Sequence, residues 1–238
     1  MPTRNLLYAS DIPINDNIKV MIPKVGQILD REDDYYELVS MLTAMPIDMM
    51  VALDDIGLDF TLLDDYQLFL LLFPGLKERD TGLVFGSLDL RGFAADINPQ
   101  NGQPILVHSE TGAVIDRAIH DRVATALRKI HHLEKNNKKP ANKEAMDFMI
   151  SRARKKIQRR KNKIEDSQLE SLIVAMVNTE QFKYDFEGTL ELSIYAFNEC
   201  VRQIIKKVDY DNRMYGVYAG TIKAKDLSPD DLNWLTHK

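Results

Sequence analysis

A run of basic residues between positions 152 and 163 is the strongest chemical signal in the sequence. It places eight cations among twelve residues: Arg152, Arg154, Lys155, Lys156, Arg159, Arg160, Lys161 and Lys163. On a helix, such a run could neutralise several phosphates and bind nucleic acid with a strong salt dependence. It could also bind an acidic protein surface, including that of another copy, or form a solvated helix face. No aromatic residue lies within the run to stack on bases, and the three hypotheses remain open.

The residue types that catalyse reactions or bind metals form no recognisable site in the sequence. Asp116 and His120 lie four residues apart on a predicted helix, whereas a metal site needs three or four converging ligands. A surface ion pair explains this spacing equally well. Three acidic doublets fall at predicted helix ends, where aspartate has a capping role: Asp33-Asp34, Asp54-Asp55 and Asp64-Asp65.

The common sequence motifs of nucleotide-binding proteins, serine hydrolases and zinc proteases do not occur in the chain. We therefore predict that the protein is not an enzyme and uses no metal or cofactor. A single cysteine, Cys200, excludes an internal disulfide. Its place in an apolar helical pattern favours a buried thiol over a nucleophile.

Four methionines form a second candidate binding feature: Met41, Met45, Met49 and Met50. Methionine is flexible and is often used on surfaces that bind partner helices, so these residues could line an apolar groove. They could also fill the ordinary core of the domain, and the sequence does not decide between these interpretations.

Composition is that of a globular protein, with 45% apolar and 28% charged residues. The longest apolar run has six residues, from Leu68 to Phe73, which is far shorter than a membrane-spanning helix requires. The N-terminus lacks the basic segment and apolar core of a signal peptide. We therefore expect a cytoplasmic protein that does not bind membranes.

The net charge of −5 conceals a strong asymmetry along the chain. Residues 1–80 contain fifteen acidic and six basic residues, a net −9, whereas residues 121–170 contain seven acidic and fifteen basic residues, a net +8. Such asymmetry favours an interaction surface, or contacts between copies, over an enzyme.

Hydrophobic periodicity predicts a mainly α fold, a helical bundle with a small β-hairpin or three-stranded insert at about residues 82–115. A strand is predicted around Val20, ending at Pro23. Helices are predicted over 33–44, 47–56 and 63–73, the last stopped by Pro74-Gly75.

In the second half, Asp116 is predicted to cap a helix that runs to about Leu133. A linker at 136–140 precedes a long helix over 143–178, which could break near Asp166-Ser167, and a last helix covers 189–208. These patterns divide the chain into an acidic helical unit (1–80), a β insert with its following helix (81–135), and a linker with the basic and C-terminal helices (136–238). The three segments could also pack as one domain.

Both ends of the chain resemble a known group of proteins. The tail segments YGVYAGTI (215–222) and DDLNWL (230–235), with the opening segments INDNIKV (14–20) and PKVGQILD (23–30), are similar to tail-region proteins of phages that infect Gram-positive bacteria. The resemblance covers roughly the first 75 and the last 60 residues. It implies a tail assembly chaperone, a helical protein that coats the tape measure protein while the tail tube polymerises.

The leading functional hypothesis is therefore an assembly factor that binds a virion structural protein and also self-associates, in the cytoplasm of the infected host. Nucleic-acid binding through residues 152–163 is the alternative, and a structural protein of the virion is a third possibility. Whether the protein remains in the mature virion, which partner it binds and its oligomeric state are left open.

Overall fold

The computed structural model describes residues 5–160, 167–229 and 231–235. The fold is mainly α with two small sheets, which confirms the predicted class. Its α-helices are α1 (Val25–Leu29), α2 (Glu32–Thr43), α3 (Met50–Asp55), α4 (Asp65–Lys77), α5 (Gly82–Phe85), α6 (Arg117–His131), α7 (Lys143–Arg160), α8 (Gln168–Val177), α9 (Phe186–Glu191) and α10 (Ile194–Tyr218).

The strands form two antiparallel sheets. β1 (Asp11–Pro13) pairs with β2 (Lys19–Met21), and β3 (Phe93–Ile97), β4 (Pro104–His108) and β5 (Val114–Ile115) form a three-stranded sheet in that order. The predicted alternation around Val20 is confirmed, because Ile18, Val20 and Ile22 are all buried. The three-stranded insert lies within the predicted range of about 82–115.

Residues 83–85 and 88–90 lie within the range predicted for the β insert, but they are not strands. Residues 83–85 lie in α5, and residues 88–90 lead into a 3₁₀ turn at Leu90–Gly92. The first forms a helical turn that buries Val84 and Phe85 side by side. In the second, the Asp89 carboxylate accepts a hydrogen bond from the backbone N–H of Arg91, which favours a turn over a strand.

The helix predicted to stop at Pro74 continues for another turn. α4 runs from Asp65 to Lys77 with Pro74 inside it. Proline removes one backbone donor from a helix. Here Phe73 and Leu76, on either side of Pro74, are both buried in the core, and their packing favours continuation of the helix.

The C-terminal helices differ from prediction in their ends. The long helix predicted over 143–178 is α7 and α8, and Ser167 caps α8 by accepting a hydrogen bond from the N–H of Glu170. The helix predicted over 189–208 is divided between α9 and α10, and α10 extends to Tyr218. Residues 133–142, which include the predicted linker, contain neither helix nor strand.

One main core joins all three predicted segments of the chain. It includes Val20 and Leu38 from the first segment, Leu127 from the second, and Ile173 and Phe197 from the third. α6 lies at its centre, with Asp116 accepting the capping hydrogen bond from the N–H of Ile119, as the sequence predicted. A smaller second cluster joins α3 and α4 to α7.

Candidate interaction surfaces

The basic helix α7 packs on the second cluster through one side of its first half. Ile150 is buried there, and Met146 and Met149 pack beside it. The partners across this contact include Leu53 of α3 and Leu68 of α4. This contact determines which face of α7 is turned inward and which is turned outward.

Arg154 connects the basic helix to the acidic end of α3. Its Nη2 atom lies 2.7 Å from a carboxylate oxygen of Asp54 and 2.5 Å from one of Asp55. The hydrogen bonds that Arg154 donates to these two aspartates raise its pKa above the ordinary value. One of the predicted acidic doublets is thus held by a cation of the basic run within the same chain.

The outward face of α7 presents an aromatic ring and three cations in one line. Phe148 is 67% exposed, and Arg152, Lys155 and Arg159 follow it at spacings of four, three and four residues along the helix. Lys156 lies next to this line. We call Phe148, Arg152, Lys155 and Arg159 the α7 stripe.

The four cations on this side of α7 are Arg152, Lys155, Lys156 and Arg159. They form no ion pair with any residue that the structure describes, unlike Arg154. The α7 helix ends at Arg160, whose side chain is outside the described part, as are Lys161 and Lys163. Sequence reasoning missed Phe148 because it precedes the basic run, although its helical spacing from Arg152 was visible.

The predicted methionine groove is largely filled by the protein itself. Met45, Met49 and Met50 pack on the second cluster, where α7 contributes Met146 and Met149. Met41 packs separately against the main core. The methionines are all half-buried, so three of them line a contact within the chain.

The other acidic doublets lie at helix starts. Asp64 caps α4 by accepting a hydrogen bond from the N–H of Gln67, and Asp65 binds Lys135 at 2.8 Å. Asp33 and Asp34 lie in the first turn of α2. That turn borders a cavity of about 910 Å³, where Glu32 accepts a hydrogen bond from the N–H of Leu169 at the start of α8.

Asp116 and His120 do not form the surface ion pair that was considered. Asp116 caps α6, whereas His120 is only 3% exposed and stacks on Phe69. In the described residues no group of three or more His, Cys, Asp and Glu side chains could hold a metal ion. No helix in the same residues is long and apolar enough to cross a membrane.

The last helix, α10, forms a second exposed surface. Its first half buries Ile194 and Phe197 in the main core. Its second half leaves four side chains exposed at spacings of three, four and three residues: Ile205, Val208, Asn212 and Tyr215. We call these four residues the α10 stripe. They lie on the side of α10 that faces the core near the N-terminus of the helix.

The chain after α10 folds back onto the same helix. Ile222 packs on Gly216, where an added Cβ would lie 2.6 Å from its Cδ1 atom. Gln203 donates a hydrogen bond to the carbonyl of Trp234, and Lys207 lies 5.5 Å from the centre of the Trp234 ring. Gly216 thus admits the chain's own tail, and the described tail residues leave the side chains of the α10 stripe exposed.

Comparison with known protein families matches the C-terminal third of the chain. Residues 159–238 match the YomV second domain, a phage-associated family. This match spans about a third of the chain and includes α8, α9, α10 and the tail. It supports a phage protein and does not specify a tail chaperone. No curated protein and no solved structure matches the chain.

Proposed function

We propose that this protein is a phage assembly factor of the tail assembly chaperone type, which binds a virion structural protein such as the tape measure protein. In this proposal it acts by binding, without catalysis, in the cytoplasm of the infected host. Three observations support it: the resemblance of the two chain ends, the phage-associated match of residues 159–238, and the exposed α7 stripe.

The α7 stripe is the observation on which the proposal mainly rests. Its three cations have no acidic partner among the described residues, and an exposed phenyl ring extends the same line. An apolar anchor beside charges is a usual composition for a protein-binding surface. Arg154, on the same helix, already binds two carboxylates at the end of a neighbouring helix. An acidic helical segment of a structural protein would offer the same chemistry to the stripe.

Co-expression with the structural proteins of the same phage tests the proposal. The full-length chain would be captured by an affinity tag, and the co-purifying proteins identified by mass spectrometry, with absorbance at 260 and 280 nm measured on the eluate. We expect a long helical tail protein and little nucleic acid. Capture of no tail protein from any co-expression would contradict the assignment.

Charge reversal on the α7 stripe then tests whether this stripe is the surface that binds the partner. The triple variant Arg152→Glu, Lys155→Glu and Arg159→Glu should lose the partner, with binding reduced at least tenfold. A second variant, Phe148→Ala, should weaken binding without changing charge. Retention of full affinity by both would exclude α7 as the binding surface.

A control with the same change in net charge separates a local effect from a general one. Lys138, Lys139 and Lys225 are exposed and lie outside α7. Replacing all three by glutamate should leave partner binding within about twofold of the original chain, since rim charges far from an interface contribute little. Circular dichroism would verify that both triple variants retain their helix content.

Nucleic-acid binding is the second candidate, and the same stripe favours it. Lysine and arginine bind phosphates, and the exposed Phe148 ring could stack on a base. This hypothesis predicts that affinity for single-stranded DNA falls by more than tenfold between 50 and 200 mM salt. If fluorescence anisotropy shows no binding at 50 mM salt, this candidate is excluded.

The third hypothesis is that the protein remains in the finished virion as a structural component. Mass spectrometry of purified particles distinguishes it from a transient assembly factor. The protein should be absent, or far below the copy number of tail proteins, if it acts only during assembly.

A further inference from the structure

The second half of α10 has an exposed, largely apolar side that the described residues do not cover. Ile205 is 62% exposed and Tyr215 is 73% exposed, with Val208 and Asn212 between them. Large exposed apolar side chains grouped on one helix face typically mark a contact surface. Of the described tail residues, Trp234 packs on the other side of α10, at Gln203 and Lys207, and Ile222 packs on Gly216 next to Tyr215. The four side chains of the stripe remain exposed with these tail residues in place.

The spacing of the stripe is that of a helix-pairing seam. Alternating steps of three and four residues place Ile205 and Asn212 at equivalent positions of a heptad, and Val208 and Tyr215 at the other apolar position. The same register continues upstream to Val201 and Ile194, which contact the chain's own core. One seam therefore packs within the chain in its first half and remains open in its second half.

The charges beside the stripe favour a copy of the same chain over a highly charged partner. Asp209 binds Arg213 at 2.6 Å, and Asp211 binds Lys207 at 2.6 Å. Both acids are thus neutralised within the helix. In the α7 stripe, in contrast, all of the charged residues are cations. Two α10 helices can approach without the repulsion that unpaired charges of one sign would produce.

We propose that two copies of this chain associate through the α10 stripe, with the second halves of their α10 helices paired antiparallel. A parallel pair would bring the two cores together at Ile194, where the upstream part of the seam is covered by the chain's own core, so we expect the antiparallel arrangement. In the antiparallel arrangement each copy's body lies beyond the end of the other copy's α10. The interface is isologous, so Ile205 of one copy faces the region of Tyr215 of the other.

Asn212 has a defined role in this arrangement. A polar residue at one heptad position lowers the stability of a paired helix while specifying its register. Asn212→Leu should therefore tighten the association by tenfold or more. This proposal does not depend on the proposed function, because it concerns contacts between identical chains only.

Sedimentation equilibrium of the full-length chain, across 1–100 µM, is the first test. We expect a monomer–dimer equilibrium in this range. The double variant Ile205→Ser and Tyr215→Ser should weaken it at least tenfold while helix content stays the same, because both side chains are exposed in the single chain. The matched control is Ile97→Ser, which removes a similarly exposed side chain, 64% exposed, from β3.

Three outcomes would overturn the proposal. The chain could be monomeric at 100 µM, the double variant could dimerise as well as the original, or the Ile97→Ser control could weaken dimerisation equally. Cysteine crosslinking tests the orientation in a Cys200→Ala background. Mixed Ile205→Cys and Tyr215→Cys chains should crosslink with each other, whereas preferential crosslinking of Ile205→Cys chains among themselves would show parallel pairing and contradict the model of an antiparallel pair.

Discussion

The ring of His120 stacks on the ring of Phe69, with 4.5 Å between their centres and 27° between their planes. Within the described residues, the Nδ1 atom of His120 has no hydrogen-bond partner although it is buried. Burial lowers the pKa of His120 to about 4, and the nearby carboxylate of Asp65 opposes that shift only in part. His120 is therefore a neutral core residue at physiological pH.

Stability should fall as the pH decreases from about 6.5 to 4. Burial also lowers the pKa of His131 to about 4. Both histidines are neutral in the folded protein through this window, whereas the unfolded chain binds protons below about 6.5. The unfolded state thus takes up more protons, and each histidine should cost about 2 kcal/mol of stability between pH 7 and pH 5.

Urea unfolding followed by circular dichroism at several pH values between 4 and 8 measures this effect. The variant His120→Leu removes one titrating group and its unsatisfied nitrogen, so its stability should depend less on pH. Its stability at pH 5.5 should equal or exceed that of the original chain. An unchanged pH slope in this variant would show that His120 does not titrate as inferred.

Ile150 should control the attachment of α7. It is 7% exposed and is the buried α7 residue of the second cluster. Ile150→Ala should destabilise that cluster by about 2–4 kcal/mol, since it removes packed methyl groups and leaves a cavity. Hydrogen exchange should show faster exchange in α7 with little change in α6. The exposed Ile157→Ala, on the same helix, should leave exchange nearly unchanged.

Gly92 should not accept a side chain. A Cβ atom at this position would lie 2.3 Å from Nε2 of the buried His108. Gly92→Ala should therefore destabilise the protein by about 1–3 kcal/mol through overpacking. Gly75→Ala is the matched control: it lies inside α4, where the nearest atom would be 3.9 Å away. Because alanine favours helix, this variant should be neutral or stabilising by up to about 1 kcal/mol in thermal unfolding.

Tyr66 should help to hold the three-stranded sheet on the helices. Its hydroxyl lies 3.0 Å from the carbonyl oxygens of Pro104 and Ile115, which belong to β4 and β5. Tyr66→Phe keeps the ring and removes the donor, so it should cost about 1 kcal/mol in chemical denaturation. Tyr36→Phe, at a half-buried tyrosine of α2 that lies away from this sheet, is the comparison and should cost less. Equal losses in the two variants would contradict this assignment.

Several elements could be predicted because local chemistry alone specifies them. The start of α6 at Asp116 follows from capping, and the strand around Val20 follows from alternating apolar residues. Other elements needed tertiary information. α4 continues through Pro74 because Phe73 and Leu76 pack in the core, and the helical turn at 82–85 forms because Val84 and Phe85 are buried together.

The candidate surfaces show the same division. The sequence by itself located the basic run and the spacing of its cations, because charge and helical periodicity are local properties. Only the tertiary structure decided that Arg154 binds Asp54, that Phe148 points outward beside Arg152, and that the methionines pack under α7. The exposed α10 stripe could not be told from core by sequence, because the same apolar spacing is buried at Ile194 and open at Ile205. Whether such a seam is covered depends on which distant segments pack against it, and residue spacing contains no information about them.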